Sequence, residues 1–237
     1  MPLPVLETPT YELTVPSTKK NVKFRPFLVK EEKILMIAQE TKDQKTIINA
    51  MKEIIKACTF DKLEPDTLTM YDLEFIFLKL RAKSVGETVE LQLPCEECDK
   101  RHPIEINVDN IKIKYPKKKI ASMIKLNNEV GVNLRHAQIK DFDSFQTSDD
   151  AAITDDMMSI LRISIDSIFD SNQTYHHSEV TPKELDTFIE SLSRKQVDQM
   201  VEYLENIPKV REEIDFKCDS CGKENIHIIE GTEAFFG

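Results

Sequence analysis

Glycine is scarce in this chain, and so are the motifs that glycine makes possible. The 237 residues include five glycines and no tryptophan. No Gly-rich phosphate loop, Gly-x-Ser-x-Gly turn or His-Glu-x-x-His helix occurs. The acids at 149–156 lack the alternation and the glycine of a calcium loop. These absences argue against the familiar nucleotide-binding, hydrolase and metalloprotease classes, and we expect a protein that is not an enzyme.

Long hydrophobic runs and targeting segments are also lacking. No apolar run reaches the length of about 18 residues that a membrane-spanning helix needs. The first residues, 1–7, lack the basic start and the apolar stretch of a signal peptide. We therefore expect a soluble, intracellular protein with no membrane partner.

The charge of the chain is acidic overall but unevenly distributed. The formal net charge of −10 argues against a general nucleic-acid binder. Acids dominate between Asp141 and Asp170, whereas a basic segment precedes them. The pattern is that of two solvated faces or of a bipolar surface that orients the protein against a partner. The basic segment consists of Lys112, Lys114, Lys117, Lys118, Lys119 and Lys125.

Two Cys-x-x-Cys pairs carry the most specific signal in the sequence. Cys95 and Cys98 stand between two runs of alternating apolar residues, and so do Cys218 and Cys221. A strand, a Cys-x-x-Cys turn and a second strand form a zinc knuckle at the tip of a β-hairpin. Two knuckles supply four thiolates, which complete a tetrahedral structural Zn2+ site with no open position.

The distance between the two pairs leaves alternatives open. Residues 99–217 intervene, far more than an ordinary zinc ribbon contains. One interpretation is a single ribbon interrupted by an inserted helical domain. The others are two unrelated turns with reduced cysteines, redox-active pairs or disulfides. Redox pairs of this spacing usually begin a helix, which neither pair does, and no secretory signal indicates an oxidising compartment.

The remaining candidate ligands have simpler explanations. Cys58 lies in an apolar helical run, which predicts a core position. His102 and His227 each follow a knuckle and are alternative ligands, or ordinary strand residues.

Periodicity predicts the secondary structure around these hairpins. Residues 9–29 alternate as a β-hairpin, and apolar residues at helical spacing predict helices over 31–40 and 42–58. Thr69 and Asp72 resemble a capping box that begins a central, apolar helix through Arg81. In the second half we expect a short helix at 118–127, a strand at 133–139, a helix from Thr154 to Phe169, a polar loop at 171–180, and two helices that begin at the capping boxes of Thr181 and Ser193.

These patterns together predict an α+β fold. It comprises an N-terminal β-hairpin, a helical body and two Cys-x-x-Cys β-hairpins that form one zinc-ribbon-like module. The expected segments are 1–83 (hairpin and helices), 84–116 (first knuckle), 117–207 (mostly helical) and 208–237 (second knuckle and apolar tail).

Most of the chain resembles the T4-like bacteriophage baseplate protein family, and two parts carry the specific resemblance. They are residues 3–33, which include Leu3-Pro-Val-Leu-Glu-Thr-Pro-Thr-Tyr-Glu-Leu13, and residues 72–98, which include Asp72-Leu-Glu-Phe-Ile-Phe-Leu-Lys-Leu-Arg81. The resemblance implies a non-enzymatic hub subunit or hub assembly factor that acts in the host cytoplasm. It implies baseplate hub proteins as partners, and it leaves homo-oligomerisation and retention in the virion open.

Charge and exposure suggest where such partners would bind. The candidates are Lys117, Lys118 and Lys119 in the basic segment, and Phe235 and Phe236 in the apolar tail, which either fold back or insert into a partner. The alternative function is that of a zinc-ribbon nucleic-acid-binding regulator that uses the basic segment.

Overall fold

A computed structural model describes residues 6–118, 120–144 and 153–231, with side chains described except at 143, 144 and 153–156. The helices and strands in these ranges follow in chain order. They are β1 (Tyr11–Thr14), β2 (Asn21–Phe24), α1 (Val29–Thr41), α2 (Gln44–Cys58), α3 (Met70–Ser84), β3 (Thr88–Pro94), β4 (Arg101–Asn107), β5 (Ile113–Lys114), β6 (Met123–Lys125), β7 (Gly131–Leu134), α4 (Ile153–Ser164), β8 (Ile165–Phe169), β9 (Thr174–His176), α5 (Pro182–Glu190), α6 (Arg194–Glu205), β10 (Lys209–Lys217) and β11 (Glu224–Glu230).

The chain forms two units, and the first is discontinuous in sequence. Unit 1 consists of residues 1–114 and 209–237, and unit 2 of residues 115–208. The strands are antiparallel and belong to four small sheets. This arrangement confirms the predicted α+β class with its N-terminal hairpin and two cysteine hairpins. The division into four segments at 83, 116 and 207 stays a prediction.

Helix α3 is the central helix of unit 1, as its composition predicts. Most of its apolar side chains are almost fully buried, each worth about 1.5–3 kcal/mol relative to exposure. One side of the helix packs on both cysteine hairpins, through Leu78 and Ala82. The buried residues of the helix include Leu73, Ile76, Phe77, Leu78 and Leu80.

The start of α3 also holds the N-terminal hairpin. Asp72 accepts hydrogen bonds from the backbone and hydroxyl of Thr69, which confirms the predicted capping box. The second oxygen of the Asp72 carboxylate accepts a 2.9 Å bond from the backbone N–H of Ser17, in the turn between β1 and β2. Asp72 is 0% exposed, so one buried acid joins a helix terminus to a hairpin turn.

Unit 2 contains a sheet that the sequence patterns did not predict. Strands β6, β7, β8 and β9 pair in that order, and helices α4, α5 and α6 contribute to the same core. The core residues are Ile124, Val132, Leu134, Leu161, Ile165, Leu185, Ile189 and Met200. The helices predicted to begin after Thr181 and Ser193 are present with their capping boxes.

Three local predictions in unit 2 are wrong. The expected helix at 118–127 is replaced by β6, because the Asn127 side chain accepts the N–H groups of Glu129 and Val130 and turns the chain into β7. The expected helix to Phe169 ends at Ser164, since its last residues pair with both β7 and β9. The expected loop at 171–180 includes β9 and a short 3-10 helix, His177–Glu179.

The strand expected at 133–139 is β7, which begins and ends earlier.

Gly131 shows how tightly this sheet is packed. A Cβ atom at this position would lie 2.3 Å from the ring of Phe169 and 2.9 Å from the carbonyl oxygen of Ile124. Only glycine allows β7 to pass so close to its neighbours.

No helix within the described ranges has both the length and the apolar character needed to cross a membrane.

Substitution of Asp72 tests the importance of its buried position. Asp72→Ala removes an N-cap partner and leaves the N–H of Ser17 unpaired, so we expect a loss of about 2–4 kcal/mol in the free energy of unfolding. Glu184→Ala removes the equivalent acid of an exposed capping box in α5 and serves as the matched control. Urea unfolding followed by circular dichroism measures both. Equal losses would show that burial of Asp72 adds nothing.

Candidate metal centre

The first knuckle is the turn between β3 and β4. These strands pair from Thr88↔Asn107 to Pro94↔Arg101, so the turn begins at Cys95. The backbone N–H of Cys95 donates to the carbonyl of Lys100 at 2.9 Å, and the N–H of Asp99 donates to the carbonyl of Cys95 at 2.9 Å. Asp99 closes the turn with a φ of 56°, a conformation that Asp tolerates better than most residues.

The second knuckle, between β10 and β11, repeats this geometry. The N–H of Cys218 donates to the carbonyl of Lys223 at 2.8 Å, and the N–H of Gly222 donates to the carbonyl of Cys218 at 3.0 Å. Gly222, with a φ of 76°, occupies the position of Asp99. The two turns are therefore equivalent residue by residue, as the resemblance of their sequences predicts.

The two knuckles bring all four predicted cysteines together. The sulfur atoms lie within 4.8 Å of one another, and Cys95–Cys221 and Cys98–Cys218 are separated by 3.6 Å each. A tetrahedral ion with metal–sulfur bonds of about 2.3 Å requires sulfur separations of about 3.8 Å. A disulfide bond would require about 2.05 Å. The geometry fits a shared tetrahedral metal ion and not two disulfides.

Backbone amides of each turn point at the first sulfur of the pair. The N–H groups of Cys221 and Ser220 stabilise the Cys218 thiolate and lower its pKa to about 6. Burial opposes ionisation of Cys95, but bonds from the Cys98 and Glu97 amides lower its pKa overall. Such N–H···S bonds favour the thiolate form, which is the form that binds metals.

In the second cysteine of each pair, the pKa of the thiol is raised instead. The amide of Lys223 lowers the pKa of Cys221, but burial and the three neighbouring sulfurs raise it to about 12. The amide of Lys100 likewise lowers the pKa of Cys98, whereas burial and the sulfurs of Cys218 and Cys95 raise it overall. Four thiolates cannot accumulate next to one another without a cation, and a divalent metal ion would supply that charge.

The four sulfurs differ in their access to solvent. Cys95 and Cys218 are 2% and 1% exposed, whereas Cys98 and Cys221 are exposed residues. The cluster therefore lies at the tips of the hairpins, with one member of each pair inside and one outside.

Asn225 joins the two knuckles independently of the sulfurs. This β11 residue is 1% exposed. Its side-chain oxygen accepts the backbone N–H of Glu96 in the first knuckle at 2.9 Å, and its amide nitrogen donates to the carbonyl of Lys223 in the second at 3.0 Å. Sequence reasoning missed this residue, because nothing in the pattern distinguishes a buried asparagine on a strand from an exposed one.

A charged contact adds to this connection. Lys100 of the first hairpin donates to Asp219 of the second at 2.8 Å. The positive charge of Lys100 also lies near the sulfurs of Cys98 and Cys218, which raise its pKa after the larger contribution of Asp219. The contact is solvent-exposed and contributes little to stability on its own.

The two histidines behind the knuckles pack on Phe216 of β10. The ring of His102 lies 5.1 Å from the ring of Phe216, and the ring of His227 lies 5.5 Å from it. His102 also forms a group with Cys218 and Asp219 whose potential ligand atoms lie within 4.8 Å of one another. His227 belongs to neither potential metal group among the described residues.

The remaining sequence candidates are Cys58, three lysines of the basic segment and the apolar tail. Cys58 is fully buried and burial raises its pKa to about 11, in agreement with a core role. Lys117 and Lys118 are exposed residues of unit 2, and Lys118 donates to Glu202 at 2.8 Å. Lys119 and the tail residues Phe235 and Phe236 lie outside the described residues.

Comparison with protein families identifies a match over nearly the whole chain. A family described as T4 bacteriophage base plate protein matches residues 8–237. No curated protein and no solved structure matches the chain significantly.

Replacement of Asn225 tests whether it positions the first knuckle. Asn225→Ala leaves the N–H of Glu96 without its buried acceptor, and we expect metal affinity to fall about 10–100-fold, as for other residues that orient metal ligands. Asn107→Ala is the control, because Asn107 caps a 3-10 turn at the far end of the first hairpin. Titration with Co(II), whose visible absorption reports tetrahedral thiolate coordination, measures both affinities. An unchanged affinity for Asn225→Ala would contradict the assignment.

Proposed function

The chain belongs to the T4 bacteriophage base plate protein family, and we propose that it acts in assembly of the baseplate hub, as a hub subunit or as an assembly factor. The family match over residues 8–237 is the observation that carries this proposal. The role is non-enzymatic, its partners are baseplate hub proteins, and its place of action is the host cytoplasm during assembly.

The metal in this proposal is a structural Zn2+ bound by Cys95, Cys98, Cys218 and Cys221. Four sulfur ligands are typical of zinc and iron–sulfur sites, and two β-hairpin knuckles with Cys-x-x-Cys spacing favour zinc. Four protein ligands leave no coordination position for a catalytic water. Such a site stabilises a fold, which supports a structural role.

Zinc at this position would connect the two separate parts of unit 1. Cys95 belongs to the part that ends at residue 114, and Cys218 belongs to the part that begins at residue 209. A link across so long a loop removes conformational entropy from the unfolded chain. An assembly protein that must present a fixed surface to its partners benefits from this rigidity.

The alternative function is that of a zinc-ribbon nucleic-acid-binding regulator. Its support is the exposure of Lys112, Lys114, Lys117, Lys118 and Lys125. The net charge of −10 opposes it. Such binding would weaken with salt by about 0.9 log units per log unit of salt for each phosphate contacted, so a shallow salt dependence of partner binding favours the hub role.

Cysteine substitutions test the shared zinc site. We expect the purified protein to contain one zinc per chain, and Cys95→Ser and Cys218→Ser to lose it and to lower the melting temperature by similar amounts, because each breaks the same site. Cys58→Ala is the control, since it disturbs the core but should retain zinc. Elemental analysis and differential scanning calorimetry provide the measurements. Retention of zinc in one cysteine variant, or clearly unequal melting temperatures, would show that the pairs do not share an ion.

Affinity purification from infected host cells tests the hub role. We expect tagged protein to recover baseplate hub proteins at moderate salt, as identified by mass spectrometry. We also expect lower recovery after charge reversal of Lys117, Lys118 and Lys119, or after alanine substitution of Phe235 and Phe236, which we propose as contacts. Lys33→Glu, on an exposed position of α1, is the control. Recovery of nucleic acid without tail proteins would contradict the proposal and support the regulator.

A further inference from the structure

A groove of about 890 Å³ lies in unit 1, away from the cysteine cluster. Its lining includes residues 20–23, where the N-terminal hairpin turns into β2, and residues 60, 62–64, 67 and 68, which follow α2. Val22 and Leu68 are buried and form an apolar floor, with Leu63 half-buried beside them. The groove is open to solvent and has the combination of apolar floor and polar rim that binding sites require.

The rim of this groove is positively charged. Lys20, Lys23 and Lys62 line it with exposed side chains, and the Lys23 ammonium lies 3.8 Å from the exposed carboxylate of Glu12. Glu64 is the acid that lines it, and its carboxylate is bound by Lys56 at 2.9 Å. A local positive charge in a chain of net charge −10 is complementary to an anionic ligand.

An exposed aromatic side chain belongs to this lining. Phe60 lines the groove and is 47% exposed. It follows Thr59, the C-cap of α2, and the N–H groups of Phe60 and Asp61 donate to the carbonyls of Ala57 and Lys56 in a Schellman motif.

The backbone of Phe60 is strained for the residue that it carries. Its φ is 56°, in the left-handed region, where helices usually end with glycine and where a bulky side chain is an outlier. Its side chain is 47% exposed, so burial in the core does not offset this strain. Strained conformations that packing does not explain occur most often at binding sites.

We propose that this groove binds an extended acidic segment of a partner protein, with an apolar side chain of the segment packed between Phe60 and the apolar floor. The three lysines bind carboxylates of the segment, and Thr10, Thr18, Asn21 and Thr67 supply polar groups for its backbone. The proposed hub role supplies the source of the segment, namely another baseplate protein, whereas the chemistry of the groove stands by itself.

The groove suits a peptide better than a nucleic acid. Single-stranded nucleic acids require a series of aromatic side chains along a basic track. Here a single aromatic side chain lines a groove whose floor is aliphatic. An aliphatic floor with one aromatic wall accommodates a leucine or phenylalanine side chain.

A defined peptide tests this proposal on the purified full-length protein. The probe is a fluorescein-labelled peptide of Asp and Glu around a central Leu, with binding measured by fluorescence anisotropy. A peptide with Lys in place of the acids and an oligothymidine of equal charge are the comparison probes. We expect the acidic peptide to bind and both comparison probes to bind at least about tenfold more weakly.

Two sets of variants locate the binding. Phe60→Gly should weaken binding about tenfold while leaving the melting temperature equal or higher, because glycine adopts this backbone conformation without strain. Combined reversal of Lys20, Lys23 and Lys62 to Glu should abolish binding. Ile37→Ala and Lys33→Glu, on exposed positions of α1, are the matched controls and should leave it unchanged.

Three outcomes would overturn the proposal. They are failure of the acidic peptide to bind, tighter binding of oligothymidine, and binding that survives both Phe60→Gly and the lysine reversal. Since the assay contains no phage partner, its failure leaves the hub role standing, and failure to recover hub proteins from infected cells leaves the peptide result standing.

Discussion

The meeting of four sulfurs at the tips of two hairpins is the constraint on which unit 1 depends. The chain leaves unit 1 after Lys114 and returns at Lys209, and these two residues pair in the short ladder between β5 and β10. The departure and the return of the chain are therefore adjacent in one sheet. Beyond this ladder, Asn225 of the β10–β11 hairpin accepts a hydrogen bond from the β3–β4 hairpin, and the cysteines of both hairpins cluster. Unit 2 is thus an insertion whose two ends are fixed at one place, which is how proteins tolerate insertions of domain size.

The knuckle turn itself does not require a metal. The turn between β1 and β2 has the same two backbone bonds, from Val15 N–H to Lys20 and from Lys19 N–H to Val15, with Lys19 at a φ of 58°. No cysteine occurs in that hairpin. Within the described residues the chain therefore makes the same backbone turn three times, and in two of them cysteines add the sulfurs of the cluster. The hairpin of β1 and β2 is instead bonded to α3 through the buried carboxylate of Asp72. Small hairpins have too little core of their own, and here contacts beyond the hairpin attach them: a buried acid for β1–β2, and Asn225 with the cysteine cluster for the other two.

The sequence predicts the structure well where neighbouring residues determine it, and poorly where pairing with distant strands determines it. The cysteine hairpins, the capping boxes and the central helix α3 could be predicted, because spacing and capping residues determine them within a few positions. The end of α4 could not be predicted. Ile165 and Ile168 satisfy helical spacing as well as strand pairing, and their partners in β7 and β9 decide the outcome. Asn225 illustrates the same limit at the site, since its importance arises from contact with a hairpin that is distant in sequence.

Several residues other than glycine have positive φ angles, and Phe60 is the most unusual residue type among them for that conformation. Among the described residues other than glycine, Lys19, Lys42, Phe60, Asp61 and Asp99 have positive φ angles. Asp tolerates this region, Lys19 and Asp99 occupy equivalent hairpin turns, and Lys42 ends a helix with its side chain in solvent. Phe60 likewise ends a helix, in the Schellman motif after α2, but it places a bulky aromatic ring, 47% exposed, at a position where glycine is usual. Local rules are broken most often where a surface has a function. The strain at Phe60 therefore points to the groove beside it.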